Sequence, residues 1–194
     1  MKKSFYEFLS NRTVATLSVI ATSIIVIYLS SIDNKIWNGD FGVFSLQTAF
    51  SVEAFSRILG TMKISGKDLL NHYLLIDILF SACCAVTFPS VLALMFSQYK
   101  LILEESFKKR PSGILSKLLF LSFFLSPLIT VLTIVGNSFI LSMIRSGSIS
   151  PALVLAASVF HTVKFVILFA ILAYLIFLLI LRRKIIRTAY RQER

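Results

Sequence analysis

Cysteine is scarce in this sequence, and the patterns that would give it a redox or metal-binding role are absent. The two cysteines, Cys83 and Cys84, are adjacent in an apolar run. Neighbouring side chains on a helix point about 100° apart, so a disulfide between them is not expected. The sequence has no CxxC motif and no Cys/His zinc spacing. We therefore expect neither a metal site nor a cofactor.

Charge is also scarce, and most of it has one sign. Only 15% of the residues are charged, with 20 Lys and Arg against 9 Asp and Glu and a formal net charge of +11. The basic residues flank apolar runs and form no separate basic domain, which argues against nucleic-acid binding. Hydrophobic residues make up 57% of the chain, and its mean hydropathy is +0.85. That is more apolar surface than one soluble core can hide, so we expect an integral membrane protein in a lipid bilayer.

Four apolar runs are each long enough to cross a bilayer as a helix of about 20 residues. They cover residues 14–32, 69–97, 114–144 and 153–181. The first run could be a signal peptide, but its length and the lack of a small-x-small cleavage site favour a retained helix. Pro89 and Pro127, inside the second and third runs, are expected to kink helices and not to end them. The predicted fold is all-α, a single domain over residues 1–194 that forms a four-helix transmembrane bundle.

The basic residues predict the topology. Fourteen of the 20 Lys and Arg fall at the N-terminus, between the second and third runs or just inside the third at Lys117, or in the tail 182–194, and five fall on the other side. The positive-inside rule then predicts that both termini are cytoplasmic. The segment 33–68 would be extracytoplasmic, with a short amphipathic helix, capped by Ser51, that lies on the outer leaflet or caps the bundle. The tail is either a topology signal alone or a contact for anionic lipid.

Several polar side chains lie inside the apolar runs at similar depth. Asp77, Asn137, His161 and Lys164 fall about 10–16 Å below the extracytoplasmic surface at a rise of ~1.5 Å per residue. Ionisable groups at such depth are costly, so a functional site is the first hypothesis. These residues belong to three polar stripes at helical spacing, namely Tyr73, Asp77, Ser81 and Cys84; Ser122, Ser126, Thr130, Thr133 and Asn137; and Ser158, His161 and Lys164. The candidate ligand-binding residues are Asp77, Asn137, His161, Lys164, Tyr73 and Thr133.

Each of these features has a purely structural alternative. An Asp77–Lys164 pair could be a buried ion pair that fixes helix register. The hydroxyls of the third run could bond to their own i−4 carbonyls and serve only in packing. His161 could be a histidine satisfied within the fold, and the two cysteines are more typical of small packing residues than of reactive thiols.

The stretch 44–80 also carries a recognisable pattern. A helix capped by Ser51 is followed by a glycine-containing break and by the sequence HYLLIDILF at 72–80. This resembles a loosely defined group of bacterial four-helix membrane proteins without known activity, and the likeness covers about two thirds of the chain. Asn137 and Lys164 match polar positions of that group, whereas Thr133 and Gly136 stand where it often has acidic residues. The resemblance implies the bacterial inner membrane and the same architecture, but no activity.

Three classes of function follow from these residues. The first is a protein that binds or translocates a lipid or small anionic ligand in an outward-facing cavity, where Lys164 and His161 attract the anion. The alternative is an accessory or structural subunit that contacts a membrane-protein partner or forms a homo-oligomer. An enzyme is less favoured, because the spacing of Tyr73, Asp77 and His161 does not demand a nucleophile–base set.

Overall fold

The computed structural model describes residues 7–37, 41–107 and 113–192, and most of them are helical. The helices are α1 (Arg12–Ile36), α2 (Val43–Gln47), α3 (Val52–Gly60), α4 (Gly66–Phe107), α5 (Gly113–Ser146) and α6 (Pro151–Gln192). Within these described ranges there is no strand, and the only β-type contact is an isolated bridge between Trp37 and Met62. The predicted all-α class is confirmed.

Four of these helices, α1, α4, α5 and α6, are long and apolar enough to cross a membrane. They correspond to the four predicted runs, and each extends past its predicted ends. The difference is largest for α4 and α6, which end at Phe107 and Gln192 and not at residues 97 and 181. Hydropathy detects where the apolar run stops, but a helix can continue through polar residues beyond it. Residues 193–194 of the predicted tail lie outside the described residues.

The helices pack around α4. Its main partners are α1 and α5, α5 also packs along α6, and the contact between α4 and α6 is smaller. Helix α1 meets the bundle mainly through α4 and does not pack closely against α6. Pro89 and Pro127 lie within continuous helices, as predicted.

The two short helices α2 and α3 cover one end of the bundle, which we call the capped end. Ser51 Oγ accepts a hydrogen bond from Ala54 N at 3.2 Å and so caps α3, as predicted. Hydrogen bonds from its own backbone N–H and from the Ser51 hydroxyl lower the pKa of the Glu53 carboxyl. Phe55 and Ile58 are buried against the ends of the long helices. Of the two placements considered for this amphipathic helix, the structure has the one that caps the bundle.

The connection from α5 to α6 is short and places these helices side by side. Gly147 has φ +68°, a left-handed conformation that glycine adopts without strain, and it follows the last residue of α5. Pro151 is the first residue of α6, where its missing N–H costs nothing. This short turn fixes the positions of α5 and α6 relative to each other along their lengths.

Candidate functional site

One carboxylate oxygen joins four helices near the capped end. Asp77 Oδ2 on α4 accepts hydrogen bonds from Gln47 Nε2 on α2 at 3.0 Å, from Asn137 Nδ2 on α5 at 3.1 Å, and from Lys164 Nζ on α6 at 3.2 Å. Asn137 Nδ2 also donates to the Leu74 carbonyl at 2.9 Å, and Asn137 Oδ1 accepts from Gln47 at 3.2 Å. We call Gln47, Asp77, Asn137 and Lys164 the polar junction.

Burial explains why these side chains meet. Asn137 is fully buried, Lys164 is 3% exposed, and the Asp77 side chain is 7% exposed. A charged or amide group in a membrane-spanning helix has no water to bond to on the lipid side, so it turns towards polar groups of neighbouring helices. The Lys164 ammonium is paired with Asp77 and also lies 4.8 Å from the centroid of the Phe165 ring.

A cavity of about 230 Å³ opens beside the polar junction. It is bounded by α1, α2, α4 and α6, and its lining consists of Val26, Leu29, Ser30, Asp33, Phe44, Gln47, Tyr73, Asp77, Phe80, Lys164, Phe165 and Leu168. On each of the three long helices that line the cavity, the lining residues are polar nearer the capped end and apolar further away. This order runs from Asp33 to Val26 on α1, from Asp77 to Phe80 on α4, and from Lys164 to Leu168 on α6.

A second carboxylate, Asp33 in the last turn of α1, also lines this cavity. Its Oδ1 accepts hydrogen bonds from Trp37 Nε1 at 3.0 Å and from the Val43 backbone N–H at 2.9 Å, which fixes the start of α2. Phe44, the next residue of α2, packs on Phe165 with ring centroids 4.7 Å apart. The lining thus carries two carboxylates and one ammonium within a partly aromatic wall.

The structure brings together only part of the predicted set. Asp77, Asn137 and Lys164 are in direct contact, and Tyr73 lines the same cavity. Thr133 lies one turn further along α5, where its Oγ1 bonds to Ser81 Oγ at 2.7 Å and donates to a carbonyl of its own helix.

His161 is fully buried on another side of α6 and does not line the cavity. Its ring packs on Gly136, where an added Cβ would lie 2.6 Å from Nε2. Neither ring nitrogen has a hydrogen-bond partner within the described part of the chain. The glycine therefore makes the room that the imidazole occupies between α5 and α6.

Most of the cavity lining was not predicted, and two of the missed residues, Gln47 and Asp33, join separate elements through hydrogen bonds. Gln47 lies in a five-residue helix, which is too short for an amphipathic period to appear. Asp33 was assigned to the segment after the first span, but α1 continues to Ile36, so Asp33 lies in the last turn of this helix. A carboxylate that directly follows an apolar run, where the helix can continue for another turn, is the signal that could have indicated it.

Three further hydroxyls of the stripes form structural hydrogen bonds. Ser122 and Ser126 bond to the carbonyls of Leu119 and Ser122 in their own helix. Ser158 instead bonds to the Ala49 carbonyl at 2.7 Å and so links α6 to the segment between α2 and α3.

Among the described residues, no group of three His, Cys, Asp or Glu side chains could hold a metal ion. No family model, curated protein or solved structure matches the chain.

Proposed function

We propose that this protein binds the anionic head group of a membrane lipid, or of a similar small amphiphile, in the cavity beside the polar junction. The observation that carries the proposal is the change of the lining from polar to apolar along α1, α4 and α6. An amphiphile has the same order, with a charged head and an apolar tail. Lys164 supplies the positive charge for the anion, and two of its three ammonium protons are not engaged by Asp77.

The size of the cavity supports a head group as the bound part. At about 230 Å³ it is smaller than the ~300–1,000 Å³ typical of pockets that enclose a whole drug-sized ligand. Acyl chains would therefore remain outside it. The side between α1 and α6 suits them, because those two helices do not pack closely together and both line the cavity there with apolar residues, such as Val26 and Leu168.

We also propose that the capped end faces away from the cytoplasm and that the protein resides in a bacterial inner membrane. The excess of Lys and Arg at the opposite end supports this orientation. The test uses Ile64→Cys at the capped end and Arg183→Cys near the end of α6, both exposed positions, in a chain whose native cysteines are replaced by Ala. A membrane-impermeant maleimide should label only Ile64→Cys in intact cells, and labelling of Arg183→Cys alone would reverse the orientation.

Binding is tested with the purified protein and short-chain phospholipids by native mass spectrometry. Lys164→Met should weaken binding at least tenfold, because one charge-assisted contact to the anion is lost. The matched control is Lys67→Met, an exposed lysine at the start of α4. Val26→Trp should also block binding, since it fills the cavity without changing a charge. Unchanged affinity in both Lys164→Met and Val26→Trp would refute the proposal.

One observation favours a second candidate, an accessory subunit of a membrane complex. The convergence of three donors on Asp77 Oδ2 is also what a device that fixes helix register requires. In that case the apolar faces or the basic tail 182–194 would contact a protein partner, a second copy of the chain or anionic lipid. A stoichiometric partner that co-purifies, together with no effect of Val26→Trp on lipid binding, would select this candidate.

A further inference from the structure

The charges around the cavity are not those of a simple anion site. Asp33, Asp77 and Lys164 give the lining a formal charge of −1, and the one ammonium is already paired with Asp77. A phosphate bound alone would meet two carboxylates in a site partly shielded from water, where like charges repel strongly. A ligand that carries its own positive charge beside the phosphate removes this conflict.

The lining also presents two carboxylate oxygens that accept no hydrogen bond from any described residue. All three donors of the polar junction bind Asp77 Oδ2, which leaves Oδ1 without a partner although the residue is only 5% exposed. Asp33 uses Oδ1 for Trp37 and Val43, and its Oδ2 is likewise unengaged. Both residues line the cavity, so these two oxygens are acceptors that a bound ligand can reach.

The positions of the charges indicate how such a ligand would lie. Asp33 is in the last turn of α1, close to the capped end, whereas Asp77 and Lys164 lie about three turns inside α4 and α6. In a phospholipid with an amine in its head group, the amine is outermost and the phosphate lies between it and the chains. The amine would then reach Asp33, and the phosphate would reach Lys164 beside Asp77.

We propose, on the basis of the lipid-binding function above, that the ligand is a zwitterion in which a primary amine accompanies the phosphate, as in an ethanolamine head group. A primary ammonium has N–H groups to donate to the free oxygen of Asp33, whereas a quaternary ammonium has none. The Phe165 face, which could attract a quaternary cation, is already occupied by Lys164. The geometry thus favours ethanolamine over choline and over an uncharged glycerol head.

Trp37 offers a direct readout of this site. It is the one tryptophan of the chain, and its Nε1 donates to Asp33. Binding of an ammonium at Asp33 should therefore change Trp37 emission. The purified full chain is titrated with short-chain phosphatidylethanolamine, phosphatidylcholine and phosphatidylglycerol, with native mass spectrometry as a second measure. Phosphatidylethanolamine should bind about tenfold more tightly than the other two and should alone shift the emission.

The variant Asp33→Asn isolates the charge, because the amide oxygen can still accept from Trp37 and Val43. It should lower phosphatidylethanolamine affinity about tenfold and leave phosphatidylglycerol affinity unchanged, while Asp68→Asn, an exposed carboxylate on α4, should change neither. Equal binding of the three lipids to the unmodified protein would overturn this inference alone, whatever the variant does. Binding of none would overturn the proposed function as well. Competition by soluble phosphoethanolamine at equal concentration would support the amine–phosphate chemistry and identify a free zwitterion as the ligand.

Discussion

Lys164 Nζ lies 3.2 Å from Asp77 Oδ2, and both residues belong to helices that have only a modest contact with each other. The same oxygen is held by Asn137 from α5 and by Gln47 from α2. The carboxylate is therefore held by α5 and α2 as well as by the ammonium of α6. This arrangement combines a means of fixing the helix positions with a charged wall of the cavity.

Removing one member of this pair should cost more than removing both. Asp77→Asn removes the negative charge that is paired with the buried Lys164 ammonium, and we expect the free energy of unfolding to fall by about 3–5 kcal/mol although the amide oxygen can still accept a hydrogen bond. Lys164→Met should cost less, because Asn137 and Gln47 still donate to the carboxylate. The double variant should recover part of the loss. Unfolding in detergent, followed by circular dichroism, measures all three.

Exposed residues of the same types near the start of α4 provide the controls. Lys67→Met and Asp68→Asn should leave the unfolding free energy within ±0.5 kcal/mol, as expected for surface positions. If the double variant lost as much as the sum of the two single variants, the charges would not be coupled, and the contact would be incidental to stability.

A second prediction concerns the contact of Gly136 with His161. Gly136→Ala normally gains helix propensity of about 1 kcal/mol, but here the new methyl carbon would lie 2.6 Å from His161 Nε2. We expect a net loss of stability and a displaced α6. Combining it with His161→Ala should restore much of the loss, since the obstructing ring is gone.

The control for this pair is Gly60→Ala at the end of α3, where an added Cβ meets nothing within 4 Å. This substitution should be neutral or stabilising. A thermal unfolding temperature for Gly136→Ala at or above that of the unmodified protein would contradict the close packing of α5 on the imidazole.

The main features of the polar junction could be predicted from sequence for a simple physical reason. Helices in a membrane rise by a fixed ~1.5 Å per residue and cannot turn polar groups towards lipid. Depth and facing could therefore be read from position alone, and Asp77, Asn137 and Lys164 do meet. Ser51 and the apolar face of α3 were predictable in the same way, because capping and amphipathic periodicity are local signals.

Other parts could not be predicted, because they depend on contacts between helices. His161 shares a stripe with Lys164, but three residues fall about 60° short of a full turn, and His161 faces Gly136 and not the cavity. Gln47 reaches Asp77 only because α2 folds back over the bundle, and no local pattern encodes that path. The place of α1, next to α4 and apart from α6, is likewise a property of packing and not of periodicity.

A third prediction separates the hydroxyls that link helices from those that only bond within their own helix. Ser81 Oγ and Thr133 Oγ1 are 2.7 Å apart between α4 and α5, so Ser81→Ala should cost about 0.6 kcal/mol, the average for such bonds in membranes. Ser126→Ala should cost less than half of that, because Ser126 bonds to the Ser122 carbonyl of the same helix. Unfolding free energies measured side by side decide this, and equal losses would show that the interhelical bond has no special role.

The fourth prediction concerns the short helix α2, which closes the cavity at the capped end. Gln47 Nε2 donates to both Asp77 and Asn137, and these are the side-chain hydrogen bonds that hold the end of α2 to the bundle core. Gln47→Leu should remove about 1 kcal/mol per bond and loosen α2 locally. Hydrogen exchange of the backbone amides over residues 43–49 should then be at least fivefold faster, while exchange in the middle of α4 stays unchanged.

Gln98 on α4 supplies the matched control, since it is a partly exposed glutamine far along the helix from the capped end. Gln98→Leu should leave exchange over residues 43–49 at the rate of the unmodified protein. If Gln47→Leu left that rate unchanged as well, the two amide bonds would be dispensable. The remaining contacts, Phe44 on Phe165, the Asp33–Val43 bond and the Ser158–Ala49 bond, would then hold α2 over the cavity.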